Sequence, residues 1–109
     1  MGNFPPYDDD TLKVIQSQPF SREAEEAVVG SVLINPDSYL DISEIIEPND
    51  FYIIRNQWIW NAFARLHDRR ISIDMVTVSN DLEEQGQFAE IGGMPYLLSL
   101  VNQTPSSLH

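Results

Sequence analysis

Ser21-Arg-Glu-Ala-Glu-Glu-Ala-Val-Val-Gly30-Ser-Val-Leu-Ile-Asn-Pro36 is the stretch whose reading decides the fold. A serine able to cap a helix is followed by Glu23, Glu25 and Glu26, which suit the positive end of a helix. Apolar Ala24, Ala27, Val28, Val32 and Leu33 come next at helical spacing. This is a first helix ending near Ile34. Asn35-Pro36 then offers a cap and a proline at the first helical position, and Tyr39, Ile42, Ile45 and Ile46 recur at offsets of three and four until Pro48. These residues predict a second helix. A third, from about Ile54 to Asp68, carries Ile59, Ala62, Phe63 and Leu66 and ends among Arg65, Arg69 and Arg70.

Asp74 caps a fourth helix holding Val76, Val78 and Leu82, and Gly86 stands where a left-handed terminal residue is commonly needed. The β-branched run from Ile71 to Val78 would also suit a strand, but no second strand is available to pair with it. Gly92-Gly93 makes a break, and Pro95 opens a last helix with Tyr96, Leu97, Leu100 and Val101. The expected fold is all-α: a small orthogonal bundle of four to five short helices, with Leu33, Ile42, Ile46, Ile59, Phe63, Leu66, Val78, Leu82 and Leu97 buried. Residues 1–20, with Pro5, Pro6, Pro19 and Asp8-Asp9-Asp10, read as a flexible acidic arm. Residues 21–104 form the folded domain, and 105–109 read as the start of a linker.

The whole chain has 109 residues, room for one domain and one site at most. It carries 6 basic against 17 acidic residues, a formal charge of −11, which repels nucleic-acid phosphate and favours a basic partner. There is no cysteine, hence no thiolate nucleophile and no disulfide framework, which suits a reducing, cytoplasmic setting. No apolar run reaches the length of a membrane span, and the start of the chain lacks the regions of a signal peptide.

Catalytic and cofactor signals are sparse. Gly92-Gly93 is followed by Met94 and Pro95, without the Lys of a phosphate loop. The histidines are His67 and His109, too few for a metal cluster, and His67 sits where a helix dipole favours it. Glu25-Glu26 and Glu83-Glu84 read as solvated faces of an acidic chain. No catalytic, cofactor-binding or metal-binding residue is assigned. Arg65, Arg69 and Arg70 make the one local basic patch; they are candidate weak phosphate contacts, or else stabilise the helix end and pair with acidic neighbours.

Six blocks, in order, carry a family resemblance. Residues 21–36 resemble S-x-E-A-E-x-(A/S)-V-L-G-(A/G)-x-L-L-x-(D/N)-P, the opening of the N-terminal domain of bacterial replicative DNA helicases, the DnaB family. Pro48-Asn-Asp-Phe-Tyr52 resembles P-x-D-F-Y, Gln57 to Phe63 resembles Q-x-I-F-x-A-(I/M), and Ile73 to Val78 resembles (I/V)-D-(L/P)-V-T-(L/V). Ile91 to Leu97 resembles I-G-G-x-x-Y-L, and Thr104-Pro-Ser106 the segment before the family's helical hairpin. Trp58 departs from a usually polar position, Val29 replaces a common Leu, and the arm before Leu12 is longer and more acidic than usual.

The resemblance implies a larger chain, with a hairpin and an ATP-dependent 5'-3' helicase motor beyond His109; ATP and Mg would belong to that motor. It implies that this domain pairs, then assembles as a trimer of dimers into a collar above the hexameric motor. There it would dock primase and, in some lineages, a loader, with little direct DNA binding of its own. Two alternatives share the helical fold: a stand-alone adaptor, loader or inhibitor that mimics the collar, and a nucleic-acid-binding domain, which would need a basic face. Trp58 and Trp60 lie about 200° apart on one helix, so only one faces the core. Trp60 occupies the family's apolar position, which leaves Trp58 as an exposed interface candidate. Tyr96 is the second candidate. For both, a purely structural role is the alternative.

Overall fold

A computed structural model describes residues 21–103. Five α-helices make up the described region, α1 (Arg22–Ile34), α2 (Tyr39–Ser43), α3 (Ile54–Asp68), α4 (Met75–Glu84) and α5 (Gly93–Gln103), with short 3-10 turns at Pro36–Ser38 and Pro48–Asp50. No strand occurs among the described residues. The acidic arm and the linker expected on either side lie outside them.

Local chemistry sets most helix ends. Ser21 Oγ accepts from the Ala24 N–H at 3.3 Å, and Asp74 Oδ1 accepts from the Thr77 N–H at 2.9 Å while the Asp74 N–H returns a bond to Thr77 Oγ1 at 3.0 Å. At the end of α4 the Gln87 and Gly86 N–H groups bond back to the Leu82 and Glu83 carbonyls at 2.8 and 3.0 Å, with Gly86 at φ 71°. The end of α3 repeats this: Ile71 and Arg70 bond back to Leu66 and His67 at 2.9 and 3.0 Å. Here the left-handed position holds Arg70, at φ 60°, where an L side chain costs about 1 kcal/mol.

The second helix is shorter than its apolar spacing predicts. Asn35 makes no side-chain cap and closes α1 instead, its N–H bonding to the Ser31 carbonyl at 2.8 Å. A 3-10 turn follows, then the five residues of α2. The helix ends at Ser43; Glu47, extended (φ −111°, ψ 162°) as a residue before proline favours, starts the next turn, and Ile46 between them is buried.

Helix α3 is the hub. Its Ile59, Trp60, Ala62, Phe63 and Leu66 are buried together with Val29, Val32 and Leu33 of α1, Val78 and Leu82 of α4, and Leu97 and Leu100 of α5. Tyr39 and Phe51 pack on Trp60 with ring centroids 5.4 and 5.2 Å away, and Trp60 meets Phe63 edge-on at 5.4 Å. Of the nine core positions expected from the sequence, all are buried except Ile42, which is half-buried against the cluster. Val76, two residues from Val78 and so on the other side of α4, is 65% exposed, while Ile73 and Val78 are buried.

Leu66 is 3% exposed in the middle of this cluster. Leu66→Ala leaves a cavity and should cost about 2–5 kcal/mol, read as a lowered Tm in a circular-dichroism melt. An unchanged Tm would mean that this face of α3 is not the packed one.

Candidate functional site

Helix α3 begins without a cap of its own. Its N-cap residue is Ile53, whose side chain has no oxygen. The acceptor comes from α1: Glu25 takes the Tyr52 N–H at 2.6 Å and the Ile53 N–H at 3.2 Å, and holds Asn56 Nδ2 at 3.0 Å. Its charge therefore lies at the positive end of α3. Asn56, fully buried, accepts in turn from the Tyr96 hydroxyl at 2.6 Å. The Arg55 guanidinium lies 4.0 Å above the Tyr96 ring. One buried polar chain thus joins α1, α3 and α5.

This arrangement corrects one expectation. Glu25 and Glu26 are not on a solvated face; they are 8% and 6% exposed, and Glu26 pairs with Arg22 at 3.4 Å. The missed signal was the uncapped Ile53-Ile54 start of α3, which calls for a distant acceptor. Tyr96, the second interface candidate, is buried, with its hydroxyl on Asn56 and its ring against Arg55, which is the structural role given as its alternative.

Of the tryptophans, Trp60 is 1% exposed, as its position implied. Trp58 is half-buried against the core rather than substantially exposed. The reason is that α1, α4 and the Pro48–Asp50 turn all pack on α3, so positions flanking its inner stripe are covered as well. The three arginines part company. Arg65 Nη2 and Nε grip Asp81 Oδ1 at 2.6 and 3.0 Å, and Asp81 is 4% exposed, so this arginine is engaged in clamping α3 to α4. Arg69 and Arg70 are exposed at the end of α3. His67 is exposed beside them, its ring 5.3 Å from that of Tyr39.

An open groove of about 720 Å³ lies between the start of α1 and the end of α5, lined by Ser21, Arg22, Glu23, Glu26, Ala27 and Gln103. Among the described residues no three His, Cys, Asp or Glu side chains come together as a metal site. No described helix is long and apolar enough to cross a membrane. What the side chains do is join helices, and what the surface offers is charge and scattered apolar residues for a partner.

Residues 17–109 match the family model described as the DnaB-like helicase N terminal domain. The chain is 42% identical over 89 residues to the replicative DNA helicase DnaB of Geobacillus stearothermophilus, covering 82% of this chain and 20% of that protein. It is 37% identical over 89 residues to the replicative DNA helicase DnaC of Bacillus subtilis, with the same coverage of each. It therefore spans about a fifth of the length of these curated relatives. The crystal structure of the N-terminal domain of DnaB helicase from Mycobacterium tuberculosis superposes with a TM-score of 0.78 at 34% identity, covering 83% of this chain and 65% of that one.

Two measurements follow from the polar chain. Tyr96→Phe removes one buried donor from Asn56 and should cost about 1–2 kcal/mol in a denaturant titration, with the helical circular-dichroism spectrum unchanged. Burial pushes both Tyr39 and Tyr96 above the ordinary tyrosine value of 10.0, with Asp68 adding to the rise at Tyr39. The neutral phenols are thus favoured by the folded state. Their stabilisation is complete below about pH 10 and is lost as pH rises through the folded values. Absorbance of phenolate should show two tyrosines ionising late, with Tm falling over that window; early ionisation of all tyrosines would contradict their burial.

Proposed function

The chain belongs to the DnaB-like helicase N-terminal domain family, and from that membership we propose that it is the assembly and protein-recruitment domain of a replicative hexameric DNA helicase. In this reading it forms part of the collar: copies pair, the pairs assemble as a trimer of dimers, and the collar docks primase and, in some lineages, a loader. The observation that supports it is the family match over residues 17–109 together with relatives that are replicative helicases, of which the matched stretch makes up 20%. The domain itself does no catalysis in this reading. ATP and Mg serve the motor of the full-length helicase.

The physical reading agrees with a recruiting role. Three buried polar side chains are committed to partners within the fold: Glu25 to the start of α3, Asn56 to Tyr96, and Asp81 to Arg65. Its −11 charge opposes phosphate, so the collar guides DNA by its shape and contributes little direct binding.

Reading the coding frame beyond His109 is the decisive test. A helical hairpin followed by a phosphate loop with Lys and Ser/Thr supports the collar domain, whereas a stop codon in the native gene favours a free-standing adaptor that mimics it. The isolated 109-residue chain should hydrolyse no ATP above buffer. Micromolar nucleotide binding by calorimetry would overturn its non-catalytic assignment.

A further inference from the structure

Opposite charges lie side by side at one end of the domain. From Asp37 to Asp50 the chain carries five carboxylates and no basic residue, and all five side chains are exposed. Leu40, 54% exposed, sits among Asp37, Asp41 and Glu44 on the outer side of α2, whose Tyr39 points inward. The Tyr39–His67 ring contact, at 5.3 Å, holds α2 against the last turn of α3. Just beyond that turn come exposed Arg69 and Arg70 and the 40% exposed Ile71. Asp68 and Asp74 flank the arginines, but Asp74 is engaged as the cap of α4.

Arg70 also occupies a backbone position that favours glycine. The matching position at the end of α4 is Gly86, with the same two closing hydrogen bonds and nearly the same φ, 71° against 60°. Such an arginine is retained against a local conformational cost, and its side chain makes no ion pair within the described residues. Adjacent acidic and basic halves have one simple complement. Turning a second copy by 180° about an axis through the patch brings each basic half onto an acidic half.

We propose that this patch is a self-complementary contact between two copies of this chain, Arg69 and Arg70 of each facing Asp37 and Asp41 of the other, with Leu40 and Ile71 between them. It deepens the assembly role proposed above by giving that role a surface. Exposed ion pairs alone are weak, so the apolar pair supplies the water-excluding centre and the charges fix orientation. A second copy fits better than a nucleic acid, because the carboxylates that would face Arg69 and Arg70 of the partner would equally face, and repel, phosphate.

Sedimentation velocity on the 109-residue chain over a concentration series tests this. Arg69→Glu with Arg70→Glu, and separately Asp37→Lys with Asp41→Lys, should each weaken self-association by about tenfold or more while the circular-dichroism spectrum stays native. Mixing the two variants in equal amounts should restore association, since each then meets an opposite charge at both contacts; added salt should weaken the original chain. Unaltered association in either variant, or no recovery on mixing, overturns the surface. So does a chain that stays monomeric throughout, an outcome that leaves the assembly role to the coding-frame test. Retention of duplex DNA that is lost on Arg69→Glu and Arg70→Glu, with self-association unchanged, would assign the arginines to phosphate and overturn the proposal as well.

Discussion

A single carboxylate holds the domain's architecture in place. Glu25 lies on α1 but does its work at the head of α3, where two backbone N–H groups and the Asn56 amide converge on it. Helix α3 packs against α1, α4 and the Pro48–Asp50 turn, and it begins with residues that cannot cap it. An apolar residue at position 25 would take this acceptor from the Tyr52 and Ile53 N–H groups and from the buried Asn56 amide. Because Asn56 also accepts from Tyr96, the same carboxylate orients the amide that receives α5. The α1–α3–α5 arrangement therefore depends on a polar chain running through an otherwise apolar interior.

This explains which parts of the fold were legible in the sequence. Ser21, Asp74 and Gly86 mark helix ends through bonds that span three to five residues, and each is found where a local reading puts it. The span of α3 was equally clear, because a run of apolar residues at helical spacing ends among arginines. The roles of Glu25, Asn56 and Tyr96 were not clear, since their bonds cross 27 to 40 residues. A glutamate in the first turn of a helix reads as favourable to its own helix; that it serves another is a tertiary fact. The second helix misled for a different reason: its apolar spacing runs on to Ile46, whereas the helix stops at Ser43 and the chain is extended at Glu47 ahead of Pro48.

The tryptophans show where the family resemblance adds to periodicity and where it stops. Spacing alone left Trp58 and Trp60 interchangeable, and the family pattern chose Trp60 for the interior, where it lies between Tyr39, Phe51 and Phe63. The same reasoning overstated the exposure of Trp58. A helix contacted on several sides has no fully free face, so a position flanking the inner stripe is half-covered by its neighbours.

Charge is divided between two uses. The buried carboxylates are each matched: Glu25 by N–H groups, Glu26 by Arg22 and Asp81 by Arg65. Arg65 is thereby withdrawn from the basic patch that the sequence suggested, and what remains at the surface is unevenly placed, with carboxylates along the α2 segment and two arginines beside it. The contrast between Gly86 and Arg70 shows that this placement is not simply what folding favours. Two helices end in the same hydrogen-bonded turn, and stability alone would place glycine in both. The end that departs from that rule is the one lying beside the acidic segment, where the proposed contact with a second copy would give the charged side chain an opposite charge to meet.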